Sequence, residues 1–141
     1  MGTLRLFVGA VLFVVAGGCN VAAAEEIDTS GGMSAAQAWL ALVDGTRYGE
    51  SWDTAAERFR AAMERVKWEA TIQTARAPLG IVVARKVRTV AFTRSLPNAP
   101  EGEYVVVQFD TRFQNGPLTS ETVTAEHEKD GAWRVAGYWI R

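Results

Sequence analysis

Glu121, Asp110 and the single histidine, His127, are the residues whose types and spacing could support chemistry in this 141-residue sequence. Glu121 and His127 sit in an alternating segment, 119 to 128, joined by Lys129-Asp130-Gly131 to a second alternating segment, 132 to 140. A three-residue hairpin loop fixes register. Regular pairing outward from Glu128 and Ala132 sets His127 against Trp133, Ala125 against Val135, Val123 against Gly137 and Glu121 against Trp139. Glu121 then falls on an apolar face, where a carboxylate has a raised pKa and is prepared as a general acid or base. A plainer reading leaves Glu121 at the open end of its strand, solvated or paired with Arg141 or another base. His127 reads as stacked on Trp133, and Asp110, between Gln108 and Arg112 on its own face, as a structural hydrogen-bonding residue.

The remaining chemistry is sparse. One histidine with no cysteine in the folded part cannot build the common zinc sites, and no G-x-S-x-G nucleophile motif occurs. No catalytic residue, metal or cofactor is assigned. Five tryptophans are notable in a chain this short. Trp39, Trp52 and Trp68 fall on apolar helical stripes, and the regular register adds Trp133 and Trp139 to the same interior. An aromatic opening rimmed by Glu121, Trp139, His127 and Trp133 is the expected ligand pocket. Tyr104, Asp110, Arg112 and Tyr138 fall on the opposite, outer face, a candidate surface for a protein partner or a second copy in a homodimer.

The elements that must hold these residues are legible from texture. Ser34 with Gln37 reads as a capping box, and Ala36, Trp39, Leu40 and Val43 follow at helical spacing until Asp44-Gly45. Tyr48, Trp52, Ala55, Ala56, Phe59 and Met63 keep that spacing, as do Trp68, Ile72 and Ala75, so residues 48–77 are one long helix or two shorter ones. From residue 81 β-branched and aromatic residues predict strands near 82–95, 103–113, 119–128 and 132–140, separated by Pro- and Gly-bearing loops. Helices first and an antiparallel sheet after them make an α+β domain, residues 34–141, with N-terminal helices on a curved four-stranded sheet.

Ahead of it stands an apolar leader. Arg5 is the only charge in residues 1–24, and the run Leu6 to Ala16 is shorter than the roughly 20 residues of a membrane span, which predicts a secretory signal peptide. Ala22-Ala23-Ala24 suits plain cleavage before Glu25. Val15-Ala16-Gly17-Gly18-Cys19 suits cleavage after Gly18 and a lipid anchor on Cys19. Under either, Cys19 stays outside the fold, residues 25–33 are a flexible leader, and the protein is periplasmic or secreted, touching a membrane only through that anchor. The chain's formal charge is −1, which gives no reason to expect nucleic acid, and Arg85, Lys86 and Arg88 read as a solvated face.

Several pieces in order, AWLALVDGTRYGESW at 38–52, RAPLG at 76–80, PEGEYVVVQFDTRF at 100–113, ETVT at 121–124 and DGAWRVAGYWIR at 130–141, resemble the bacterial family called domain of unknown function 4019. The resemblance implies an exported protein with a fold similar to the nuclear transport factor 2 (cystatin-like) cone. It lends no activity. The expectation is therefore an envelope protein that binds a small molecule or another envelope protein without catalysis. Its rivals are a proton-transfer enzyme using Glu121 or Asp110 with Tyr138 or His127, and an interaction module using the outer sheet face.

Overall fold

Alternation over residues 82–140 builds the sheet. A computed structural model describes residues 26–141, so the expected signal peptide, Cys19 and both cleavage readings lie outside the described residues. The strands are β1 (Val82–Thr93), β2 (Tyr104–Phe113), β3 (Thr119–His127) and β4 (Trp133–Ile140). They pair antiparallel in the order β1-β2-β3-β4, an open sheet with β1 and β4 at its ends. The loop Lys129-Asp130-Gly131 closes the last hairpin as expected. Gly131 takes φ +87°, and the Glu128 N–H donates to the Ala132 carbonyl at 2.9 Å.

Ahead of the sheet come α1 (Ser30–Asp44), α2 (Tyr48–Asp53), α3 (Glu57–Ala62) and α4 (Arg65–Arg76), then a 3-10 turn at Ala77–Leu79. Residues 48–77 are thus neither one helix nor two. No proline or glycine breaks the run, and tertiary bonds do it instead. Ala56 turns its N–H to the Val135 carbonyl of β4 at 2.8 Å, and the Trp52 indole donates to the Met63 carbonyl at 2.7 Å. Each bond satisfies a backbone group left without a helical partner.

Helix α1 begins at Ser30, a turn ahead of the expected Ser34, so Ser30–Met33 belong to the helix and not to the leader. Gly31 and Gly32 look like tether residues in the sequence, yet they are contact residues. A Cβ on Gly32 would collide with the Val105 side chain, so its bare backbone is what lets the first turn lie on the sheet.

One face of the sheet takes the helices. Val105, Val107, Phe109 and Phe113 of β2, Val123 and Ala125 of β3 and Val135 of β4 are buried there with Trp39, Leu40, Val43, Trp68 and Ile72. Trp39 holds the centre, with ring centroids 6.0 Å from Phe59, 5.7 Å from Trp68 and 5.3 Å from Tyr138. Its indole donates to the Ser51 carbonyl at 2.8 Å. Helix α1 packs chiefly on β2, β3 and β4, so β1 extends past the helical cover.

Candidate functional site

Glu121 is fully buried on the helical face, and four elements converge on it. From β2, Thr111 Oγ1 donates to Glu121 Oε1 at 2.5 Å. From β1, Arg85 donates through Nε at 2.9 Å and approaches through Nη2 at 2.8 Å. From β4, the Tyr138 hydroxyl donates to Oε2. From α4, Arg76 stands 3.8 Å from Oε2 with its guanidinium over the Phe113 ring. Asp44, at the end of α1, ties the two arginines together, accepting from Arg76 at 2.7 Å and from Arg85 at 2.6 and 3.0 Å.

Two arginines and two carboxylates thus face one another in one cluster. Burial works to raise Asp44, but hydrogen bonds from Arg85 and Arg76 outweigh it and hold the carboxyl below its ordinary range. Burial likewise opposes the charge on Arg85, but Asp44 and Glu121 outweigh it and push that guanidinium up. Tyr138 is pushed far above the ordinary phenol range, first by burial and then by the adjacent Glu121 carboxylate, so its proton stays in the bond to Glu121. Arg76 Nε and Nη1 are buried with no hydrogen-bond partner among the described residues.

The expected pocket rim is not assembled. Near the turn the register is as expected, with His127 opposite Trp133 and Ala125 opposite Val135, but it shifts between Thr124 and Ala125. Ala136 is the extra residue of a β-bulge, and beyond it every side chain of β4 changes face. Glu121 faces Ile140, and Trp139 lies opposite Thr122 on the outer face, about half exposed. Tyr138 moves the other way, from the expected outer face to the interior beside Glu121. His127 and Trp133 stack at 4.8 Å, as expected, but at the far end of β3, roughly 20 Å of strand from Glu121.

The outer-face set is also divided. Tyr104 is buried, its hydroxyl bonded to the Pro100 carbonyl at 2.7 Å with Gly102 beside its ring, so the preceding loop covers it. Asp110 and Arg112 remain on that face, Asp110 ion-paired with Arg88 at 3.3 Å and Arg112 exposed. Asp110 therefore shares no cavity with Glu121. Arg85, read as part of a solvated run, is instead the chief partner of Glu121, and Arg76 and Asp44 carried no local signal of this role. The one available clue was Arg85 itself, which alternation places opposite the inward Thr111.

The His127 ring faces two acceptors, the Glu103 carboxylate at 2.7 Å from Nδ1 and the Gly131 carbonyl at 3.1 Å from Nε2, and donates to both when it is protonated. The Glu103 bond raises its pKa. A raised value means a stabilising contribution fully present below the unfolded-state pKa and lost as pH rises through the folded one. In an NMR titration His127 should therefore show a midpoint above that of a free histidine, and Glu103→Gln should bring it down. An unmoved midpoint in the variant would assign the shift to another group.

Three surface features remain. A recess of about 220 Å³ opens between α1 and β1, its sides Leu40, Ala41, Val87 and Phe109 and its polar end Gln37, Asp44 and Arg85. Beside it, Ile81, Val83, Val87 and Val90 put exposed apolar side chains on or next to β1, whose outer edge has no strand partner among the described residues. On the other face a recess of about 300 Å³ is lined by Arg88, Gln108, Ser120, Thr122, Trp139 and Arg141. Among the described residues no group of three or more His, Cys, Asp or Glu is placed to hold a metal ion, and no helix is long and apolar enough to cross a membrane.

Comparison with known proteins adds family but no activity. No curated protein matches the chain. A solved structure from Catenulispora acidiphila is similar over 78% of this chain and 88% of its own, at 16% identity and a TM-score of 0.49, a likeness too weak to transfer anything. The family model "Protein of unknown function (DUF4019)" matches residues 35–138, nearly all of the helices and the sheet, and the chain belongs to that family.

Proposed function

We propose that this is an exported, non-enzymatic accessory module of the bacterial envelope that binds an extended segment of a partner polypeptide along β1. Export is supported by the apolar leader and its small-residue end. Catalysis is disfavoured by the cluster around Glu121, because Arg85 and Arg76 compensate its carboxylates and Tyr138 keeps its proton. The cone shape implied by the family resemblance agrees with helices covering one side of the sheet and leaving part of it open.

The observation that carries the reading is the concentration of exposed apolar residues at β1, a 12-residue end strand that has no partner on its outer edge among the described residues. Such an edge presents unpaired N–H and C=O groups, and proteins usually blunt or cover it. A segment pairing there would gain backbone hydrogen bonds, and its alternate side chains would enter the recess beside Val87 and Phe109. Charge selects the occupant. Lys86 and Arg88 are exposed on this strand, so acidic side chains suit the segment, whereas a second copy paired about Val87 would set Lys86 against Arg88.

Peptides selected from a random library against the purified protein test this. The expected result is acidic, alternating peptides that slow hydrogen exchange at residues 82–93 and lose roughly tenfold or more in affinity against Val87→Lys/Val90→Lys. Protection elsewhere, or a dimer joined through β1 in the absence of peptide, would overturn it.

A further inference from the structure

We infer that the outer face of the sheet, at the end away from the hairpin turn, is a binding site for an anionic saccharide. The site is built by all four strands. Register places Thr89, Gln108, Thr122 and Trp139 in one cross-strand row, and Lys86, Asp110 and Ser120 in the next, with Arg141 bonded through its backbone to Ser120 at 3.0 Å. Four strands at the usual spacing make the rows about 14 Å long, the span of roughly three pyranose rings.

The first row is a stacking platform followed by polyol-reading groups. Trp139 is 54% exposed, a large aromatic surface open on this face. Its ring lies across Gly137, where a Cβ would come within 2.5 Å, so this glycine lets the indole lie down on the sheet. A flat indole offers a pyranose its π face. The hydroxyl of Thr122 and the amide of Gln108, whose oxygen accepts from Thr89 at 3.0 Å, present donors and acceptors in the same row.

Charge on the second row defines the sugar as an acid. Arg88 is fixed by Ser120 Oγ at 3.1 Å and by Asp110 at 3.3 Å, which leaves part of its guanidinium facing the recess. Lys86, Arg112 and Arg141 make no side-chain ion pair among the described residues, so side-chain cations outnumber the one side-chain carboxylate, Asp110. Guanidinium groups bind carboxylates and phosphates in two-point fashion. A nucleic acid also stacks and carries charge, but it needs a long basic track, and the chain as a whole is slightly acidic.

The test uses the purified protein and tetragalacturonate as probe, with maltotetraose as the neutral comparator, citrate as a ringless anion and octathymidylate as a nucleic acid. Tetragalacturonate should shift the Trp139 indole and Thr122 amide resonances saturably and bind roughly tenfold or more tighter than each of the other three. Trp139→Ala and Arg141→Ala should each weaken it several-fold while Trp139→Phe retains most of the affinity. Trp139 is half exposed and Arg141 exposed, so these variants should fold, which thermal unfolding checks. No saturable binding below about 10 mM, equal binding of citrate or maltotetraose, tighter binding of octathymidylate, or an unaffected Trp139→Ala would overturn the assignment. Retained peptide binding at β1 by Trp139→Ala separates this site from the one proposed there.

Discussion

Glu121→Ala should lower the unfolding free energy by about 3–5 kcal/mol, because it leaves Arg85 and Arg76 facing a buried space with one anion where there were two. The charge left behind causes the loss, more than the bonds removed. Replacing both partners, Glu121→Leu with Arg85→Met, should therefore cost less than Glu121→Ala alone, since Asp44 and Arg76 keep each other at 2.7 Å. Chemical denaturation of the wild type, the single variant and the double variant measures this. A double variant less stable than the single would mean that the hydrogen bonds, not charge balance, are the larger part. Acid should act in the same direction. Asp44 is held below its ordinary range, so its contribution is complete above the unfolded-state pKa and is lost as pH falls through the lower folded value.

Trp39→Ala should be comparably severe, about 3–5 kcal/mol, because the ring fills the space among Phe59, Trp68 and Tyr138 and its N–H satisfies the Ser51 carbonyl. Trp139→Ala should change stability by no more than about 0.5 kcal/mol. Thermal and denaturant unfolding of the two variants side by side gives the comparison. A large loss for Trp139→Ala would mean that its contact with Gly137 supports the strand more than half exposure implies.

That contrast shows what can and cannot be read from residue order. The strands and the Lys129-Asp130-Gly131 turn were legible because β-branched alternation and a positive-φ glycine are local signals. Glu121 lies on the helical side, as the alternation of β3 from Thr119 to Val123 leads one to expect. Trp139 and Tyr138 were exchanged because one extra residue, Ala136, carries no marker in composition yet reverses every position after it. The helical breaks after Asp53 and Ala62 were invisible for a related reason. They are set by bonds to Val135, 79 residues ahead of Ala56, and by the Trp52 indole on Met63, not by glycine or proline. The partners of Glu121 were hidden by distance along the chain, because Arg85 is 36 residues from Glu121 and 41 from Asp44. Charge pairing at that separation has no sequence period to betray it.

The meander order of the sheet has a kinetic consequence. Every strand pair joins neighbours in sequence, so the sheet can zip outward from the three-residue turn while closing only short loops. Asp44, Arg76, Arg85 and Glu121 come together only when α1, α4, β1 and β3 have all docked. Contacts that need so many parts in place are expected to form late, so removing them should speed unfolding and leave the folding rate nearly unchanged in a chevron measurement. The buried charges thus act as a latch on escape from the native state, lengthening the lifetime of a domain whose end strand and outer face stay open to solvent.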